Sequence, residues 1–313
     1  MTKDTIHKDI LIIGAGMAGL TAALYAGRLN ASVLVLENGI IGGQIANATG
    51  IENYPGFSRI SGHDLIAHVQ EQAEHFGAVI DEFDAIESVT LTATPKRVET
   101  TEHIYEADAI IIASGMNRRL LLPLPEERKY ASKGVHYCEF CDGHLYQGKT
   151  IAVMGGGNAA VDAANFLTKY AKHLYLVHRS QLRADDVSIE RFKGHDNVTI
   201  MLQTEIKALH GDGRLSSIDL FHTDTGTAET LPVDGIFVNI GVVPNTQLFE
   251  GQLTLHEGRI PAGEDCRTEI PGVFAAGDVR EKEIRQLTTA ASDGTTAALL
   301  AGKYLEQLAR SKK

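Results

Sequence analysis

The sequence predicts an α/β protein built on two strand–turn–helix–strand units. Short β-branched apolar runs over Ile10–Ile13 and Thr150–Met154 each lead into a glycine-rich turn. The turns are Gly14-Ala15-Gly16-Met17-Ala18-Gly19 and Gly155-Gly156-Gly157-Asn158-Ala159-Ala160. A small-residue segment of helical length and a second apolar run follow each turn, the pattern of parallel strands buried on both faces. At 313 residues the chain exceeds one ordinary compact core, so the two units read as two domains.

In the first unit the strand over Ile10–Ile13 is followed by a helix from Leu20 to about Leu29, then by a strand over 32–36 that ends in Glu37. The first glycine of such a turn allows the bend. The second lets backbone N–H groups approach a pyrophosphate, and the third lets helix and strand pack closely. An acid closing the second strand accepts hydrogen bonds from ribose hydroxyls. Gly14, Gly16, Gly19 and Glu37 therefore suit a dinucleotide with an unphosphorylated adenosine ribose, FAD or NAD.

The second unit repeats the plan, with Gly155, Gly157 and Ala160 in the three positions. A helix runs from Val161 to about Lys172, and a strand covers Leu174–Val177. The place of Glu37 is taken by His178, followed by Arg179, with Arg183 further on. Guanidinium groups match a 2′-phosphate, which favours NADPH over NADH. Beyond this unit, 235–241 reads as a strand closing on glycine and 242–246 as a crossing linker. Pro271–Asp278 reads as a turn, a short strand and an acid after glycine, and 294–307 as an Ala/Leu-rich helix.

Between the units stands Cys138-Glu139-Phe140-Cys141-Asp142-Gly143, a vicinal dithiol with an adjacent carboxylate. A C-x-x-C pair can lower the attacking thiol's pKa toward neutrality, as disulfide exchange requires. Asp142 is placed to protonate a departing thiolate. A structural zinc site needs four ligands, and with no second C-x-x-C, His136 and His144 leave too local a set. A flavin-based redox sensor without turnover is the third reading; it predicts a flavin that nicotinamide nucleotides do not reduce.

Composition narrows the class further. A net charge of −11 argues against a nucleic-acid partner. No apolar run reaches the roughly 18 residues that span a bilayer, and the N-terminus has no secretory h-region. Three cysteines do not make a secreted disulfide framework, so the chain reads as cytoplasmic. The basic tail Arg310-Ser311-Lys312-Lys313 reads as a solvated end.

The span from Cys138 to Ala160 resembles the redox segment of low-molecular-weight thioredoxin reductases, in which C-x-x-C-D-G precedes GGG[DN]xA. Gly14–Gly19, Gly42-Gly43-Gln44, Glu52-Asn53-Tyr54-Pro55-Gly56, Pro271–Asp278, and Arg285-Gln286 ahead of Ala290-Ala291-Ser292-Asp293-Gly294 match as well. The resemblance covers essentially the whole chain. It implies two Rossmann-like dinucleotide-binding domains, the second inserted into the first: an FAD domain of 1–116 plus 246–313, and an NAD(P)H domain of 117–245 carrying the dithiol. Gly14, Gly16, Gly19 and Glu37 would hold the ADP half of FAD. Gly43, Gln44, Asn53, Asp278, Arg285 and Gln286 would surround the flavin and ribityl chain. Gly155, Gly157, Asn158, Ala160, His178, Arg179 and Arg183 would hold the pyridine nucleotide. Cys141 would face the flavin, Cys138 would attack the partner disulfide, and Asp142 would carry the proton.

The resemblance thus implies electron transfer from NADPH through FAD to thioredoxin, in a homodimer without nucleic-acid or membrane partners. The alternative keeps the machinery but uses NADH or another donor, and a different thioredoxin-fold or peroxiredoxin-linked acceptor. If dithiol and nicotinamide must both reach one flavin, the inserted domain rotates about hinges near 116 and 245.

Three positions depart from the family pattern. Ser180 stands where a second arginine is usual, removing a charge-assisted hydrogen bond to a 2′-phosphate and leaving NADH open as donor. His136 replaces a small hydroxyl residue and reads as a partly exposed loop histidine; protonated, it would lower the pKa of Cys138. Cys266 reads as a small core hydrophobe.

Overall fold

The computed structural model describes residues 3–46, 48, 50–121 and 126–311; Lys312 and Lys313 of the basic tail lie outside them. The chain divides into two compact units, Met1–Asn117 with Val243–Lys313, and Arg118–Val242.

The first unit opens with β1 (Asp4–Ile13), α1 (Met17–Arg28), β2 (Val33–Leu36), α2 (Gly62–His75) and β3 (Val79–Asp81). The three strands are parallel, with Ile10 beside Val33 and Leu34 beside Val79. β4 (Ile86–Thr90), β5 (Lys96–Thr100) and β6 (His103–Ile112) form an antiparallel meander. β6 also runs parallel to β1, which lengthens β1 beyond the apolar run seen in the sequence. Ile10 and Ile12 face Leu20 and Ala297, while Leu11 and Ile13 face Val98, Phe249 and Val279. A strand covered on both faces needs an unbroken apolar run, and this one has it.

The loop between β3 and β4 carries Asp84, only 2% exposed. Its carboxylate accepts hydrogen bonds from Thr100 Oγ1 at 2.6 Å, Thr101 Oγ1 at 2.9 Å and the Glu102 N–H at 2.8 Å, and pairs with His103 Nδ1 at 2.9 Å. Burial pushes the Asp84 carboxyl up, but the bonds from Thr100 and His103 outweigh it and hold the pKa at about 2. A carboxyl held below its unfolded value of about 3.9 adds stability above that pH, lost as pH falls through 2; the full effect is about 2 kcal/mol. The same bond raises His103, so the histidine's share is present at low pH and fades as pH rises past its folded pKa. Urea unfolding is expected to find Asp84→Asn about 2 kcal/mol less stable than the native chain at pH 6, with the gap closing toward pH 2.5. A gap unchanged by pH counts against the carboxylate's role.

β7 (Met116–Arg118) leads into the second unit, which begins with α3 (Glu126–Lys129), β8 (Val135–His136) and α4 (Glu139–Asp142). Then come β9 (Thr150–Met154), α5 (Asn158–Leu167), β10 (His173–Val177), α6 (Asp186–Lys193) and β11 (Val198–Met201). β12 (Thr204–His210), β13 (Ser217–His222) and β14 (Thr227–Pro232) make a separate antiparallel sheet before β15 (Gly235–Val238). The parallel sheet has the order β11-β10-β9-β15-β8. α5 starts at Asn158 and stops at Leu167, not 161–172 as the sequence suggests. The residues after Leu167 turn back instead, the Lys172 N–H meeting the Lys149 carbonyl at 2.8 Å.

The segment expected as a crossing linker contains a strand, β16 (Val242–Pro244), which pairs with β7. β17 (Val273–Ala275) then joins the C-terminal half of β6, and α7 (Leu287–Ser311) completes the first unit. α7 begins seven residues (294 − 287) before the expected start, because Gly294 lies inside the helix and does not open it. A Cβ at Gly294 would sit 2.2 Å from the Ala18 carbonyl oxygen, so α1 and α7 touch at backbone distance. Ala290, Gly294, Ala297, Ala298 and Ala301 form the buried stripe at helical spacing, and packing outweighs the ~1 kcal/mol propensity cost of glycine.

Candidate active site

In the first unit, Gly14 adopts φ +106° and a Cβ there would meet the Ala113 carbonyl oxygen at 2.5 Å. A Cβ at Gly19 would lie 1.8 Å from the Gly14 oxygen, so α1 rests directly on the turn. Gly16 caps α1 without any side-chain hydrogen bond, and nothing lies within 4 Å of its would-be Cβ. Helix α2, by contrast, is capped by the Ser61 hydroxyl. An open, uncapped helix N-terminus behind a glycine cradle suits the diphosphate of a dinucleotide. Glu37 closes β2 as predicted, accepting from the Ala15 N–H at 2.7 Å and the Gly39 N–H at 2.8 Å, so its carboxylate is anchored beside the turn.

The remaining flavin-site candidates of this unit come from distant parts of the chain. Gly42 donates to the Ala15 carbonyl at 2.8 Å, and a Cβ at Gly43 would sit 3.9 Å from Gly16, so Gly43 lies against the first turn. The exposed Gln44 amide reaches Asn117 at 3.5 Å. Asn53 Nδ2 donates to Gln286 Oε1 at 3.2 Å, joining residues 233 positions apart. Asp278 sits on a 3₁₀ turn whose Gly277 leaves room for Ala18 of α1. That turn is held by Asp293, which accepts from the Gly277 N–H at 3.0 Å, Arg280 Nε at 2.8 Å and Lys282 Nζ at 2.8 Å. Burial and the neighbouring Arg259 lower the pKa of Arg285, while Asp278 opposes them. Its Nε is buried without a protein partner among the described residues, as a donor awaiting an oxygen- or nitrogen-bearing group would be. These features fit a bound flavin nucleotide.

The second turn has the same design. Gly155 adopts φ +138° under the Asn239 carbonyl, and Ala160 packs fully buried against it. Gly157 caps α5 with no side-chain bond and open space around its would-be Cβ. Asn158 Oδ1 accepts from the Asp185 N–H at 2.9 Å, and the Arg183 N–H meets the Gly156 carbonyl at 2.6 Å. The loop carrying Arg179 and Arg183 is thereby tied to the turn, with both side chains exposed. His178 is 7% exposed, its ring packed on Gly156 and its Nε2 3.2 Å from Ser180 Oγ. Burial lowers the His178 pKa, and Arg183 and Arg179 add to the effect. Beside the turn, Asn239 Nδ2 is buried without a protein partner among the described residues. Asn239 escaped the sequence reading; its only signal was its place just past the end of β15.

The same unit carries the dithiol. Cys138 and Cys141 are joined as a disulfide, their Cα atoms 5.3 Å apart. Cys138 caps α4, its Sγ accepting from the Cys141 N–H at 3.2 Å. Phe140 packs edge-on against Phe166 of α5, with ring centroids 4.6 Å apart, so the dithiol turn rests on the helix that opens at Gly157. Burial, followed by Asp162, raises the Glu139 carboxyl pKa. His136 is not the partly exposed loop residue expected: it lies in β8, 4% exposed, with Nδ1 3.1 Å from Asp142 Oδ2. Parallel pairing of β8 with β15 sets His136 beside Phe237 and draws it into the core. Cys266 is fully buried, as expected of a small core residue.

The family model described as pyridine nucleotide-disulphide oxidoreductase matches residues 8–294. The chain belongs to this family. Among its relatives, the chain is 48% identical over 305 residues to a protein described as "34.2 kDa protein in rubredoxin operon" from Clostridium pasteurianum, covering 97% of this chain and 99% of that one. It is 40% identical to the thioredoxin reductase of Listeria innocua, over 96% of this chain and 94% of that one. The crystal structure of thioredoxin reductase from Streptococcus pyogenes superimposes with a TM-score of 0.92 at 39% identity, covering 96% of this chain and 99% of that one. Among the described residues, no helix is long and apolar enough to cross a membrane.

Proposed function

We propose that this flavoprotein disulfide reductase acts as a thioredoxin-disulfide reductase, taking electrons from NADPH and delivering them through Cys138 and Cys141 to a thioredoxin-type protein. The observation that carries the reading is the Cys138–Cys141 disulfide seated on α5, whose uncapped N-terminus opens a second dinucleotide cradle in the same unit. Likeness over nearly the whole length to proteins named thioredoxin reductases supports the acceptor. We assign the enzyme to the cytoplasm as a homodimer, with Met1–Asn117 and Val243–Lys313 as the flavin domain and Arg118–Val242 as the nucleotide domain.

Each residue has a defined task in this reading. The Gly14–Gly19 turn and Glu37 hold the ADP half of FAD, and Gly43, Gln44, Asn53, Asp278, Arg285 and Gln286 surround the rest. Bound FAD supplies the conversion of a nicotinamide hydride into an electron pair for a disulfide. Gly155, Gly157, Asn158, Ala160, His178, Arg179 and Arg183 form the pyridine-nucleotide site. Cys141 receives the electrons, Cys138 attacks the partner disulfide, and Asp142 exchanges the proton. The paired strands β7 and β16 are the hinge between the two tasks of the nucleotide domain.

The donor has a second reading, favoured by one residue. Ser180 supplies no cation where a 2′-phosphate would be met, and a missing charge-assisted bond is worth about 1.5–3 kcal/mol. Anaerobic titration with NADPH and with NADH, followed by flavin bleaching, tests both; a flavin bleached by neither overturns the donor assignment. Ser180→Arg is expected to raise the NADPH-over-NADH ratio of kcat/KM by about tenfold or more. An unchanged ratio would show that the 180 side chain does not meet the ribose phosphate.

A further inference from the structure

We propose that His136 is a positioning residue for Asp142, holding its carboxyl at the end of a chain of polar contacts that runs Arg214–Tyr146–His136–Asp142. The inference deepens the reading above, in which Asp142 exchanges the proton of the thiol transfer. His136 uses both ring nitrogens: Nδ1 lies 3.1 Å from Asp142 Oδ2 and Nε2 lies 2.7 Å from the Tyr146 hydroxyl. Tyr146 is fully buried and its oxygen accepts from Arg214 Nη2 at 3.3 Å. With that lone pair taken by a guanidinium, the tyrosine directs its own proton to His136 Nε2. Burial raises the Tyr146 pKa although Arg214 opposes it, so the phenol keeps that proton. The imidazole hydrogen is then left on Nδ1, the ring atom that lies 3.1 Å from Asp142 Oδ2. A cation at one end and a carboxylate at the other polarise every bond in the same direction.

Two aromatic neighbours pack against the ring. His136 lies against Phe237 with centroids 5.4 Å apart at 29°, and meets Tyr146 edge-on at 5.3 Å and 76°. Gly235 makes room for the tyrosine, since a Cβ there would lie 2.4 Å from its ring. The other charged groups around the chain are Lys149, 5.3 Å above the Tyr146 ring, and Asp234, whose charge also acts on Tyr146. A buried imidazole has one donor and one acceptor nitrogen, and both need partners. This one links a fixed core position to a carboxylate beside the dithiol.

The chemistry explains why such a hold is useful. When the Cys141 thiolate attacks Cys138 of the mixed disulfide, the Cys138–Cys141 bond forms and the bond to the partner sulfur breaks. The partner sulfur leaves with the electron pair and takes the proton of the Asp142 carboxyl, which becomes a carboxylate. The disulfide seen here corresponds to that product state, with the Asp142 carboxylate 3.1 Å from His136 Nδ1. Oδ2 is engaged by the histidine, leaving Oδ1 for the proton.

The test uses the flavin-loaded enzyme with His136→Phe, which fills the space without a donor, and His136→Asn, whose amide N–H replaces Nδ1–H. With an acceptor disulfide protein, His136→Phe is expected to lower kcat about tenfold, because the Asp142 carboxyl is no longer held in place for the proton transfer. His136→Asn restores it, and the stopped-flow rate of flavin reduction by NADPH or NADH stays within about twofold in each variant. An unchanged kcat in His136→Phe would overturn the proposal, as would a loss that Asn does not rescue. In ¹⁵N-histidine-labelled protein, His136 is expected in the Nδ1–H form, with resonances that move in Asp142→Asn. An Nε2–H tautomer, or no response to Asp142→Asn, also overturns it. This spectroscopic arm decides the proposal even if thioredoxin proves not to be reduced by the native enzyme, an outcome that would sink the functional reading instead.

Discussion

Cys141→Ser and Cys138→Ser are each expected to lose thioredoxin reduction by roughly 10⁴-fold or more while their flavin is still bleached by the pyridine nucleotide. Serine cannot carry the electron pair between a flavin and a disulfide, so electrons stop one station short. The two variants should nevertheless behave differently. In Cys141→Ser the attacking thiol remains but nothing resolves its product, and a mixed disulfide between Cys138 and the acceptor accumulates, visible as a shifted band on a non-reducing gel. In Cys138→Ser no such adduct forms with the same acceptor. The reverse pattern would exchange the roles of the two cysteines, and retained turnover in either variant would remove the dithiol from the route. The capping contact, in which Cys138 Sγ accepts the Cys141 N–H at 3.2 Å, shows that the two sulfurs occupy unlike places in the turn.

Asp293→Ala is expected to cost about 3–5 kcal/mol of stability, because it leaves Arg280 and Lys282 as uncompensated buried cations. Arg280 is 6% exposed and Asp293 7%, so water screens the pair little. The same carboxylate holds the Gly277 N–H and with it the turn that presents Asp278. Flavin retention on gel filtration should therefore fall together with the thermal midpoint, by at least about 6 °C for a loss of this size. Asp293→Asn keeps an acceptor for one donor but not the charge, and should fall between. A midpoint within about 2 °C of the native protein for Asp293→Ala would show that the buried cations find other partners.

Much of this site is legible in the sequence because its parts are local. A β-branched run, a glycine turn and an amphipathic segment specify a βαβ unit within thirty or so residues, and both turns, Gly14–Gly19 and Gly155–Ala160, emerge with uncapped helices behind them. Glu37 and the C-x-x-C-D pattern are equally local. Boundaries were less legible. Gly294 reads as a helix start by propensity, yet tertiary contact with Ala18 places it inside α7. Residues 242–246 carry no strand signal of their own, since β16 exists through its pairing with β7.

Residues whose function depends on partners far along the chain were the hardest to see. Asn53 meets Gln286 across 233 positions, and Asp293 joins Gly277, Arg280 and Lys282 only because α7 lies against the 3₁₀ turn. From its neighbours in sequence alone, His136 reads as a loop residue beside a thiol. The fold buries it in β8 and aims it at Asp142 instead.

The two glycine-rich turns, the C-x-x-C pair and its adjacent acid are legible in the chain itself, because each is a short spacing that local backbone geometry enforces. Packing of distant segments sets which donors have no protein partner among the described residues, as at Arg285 Nε and Asn239 Nδ2, and brings His136 Nδ1 within 3.1 Å of Asp142. Burial and hydrogen-bond satisfaction are properties of the packed chain, set by strands and helices distant in sequence, and no local spacing encodes them.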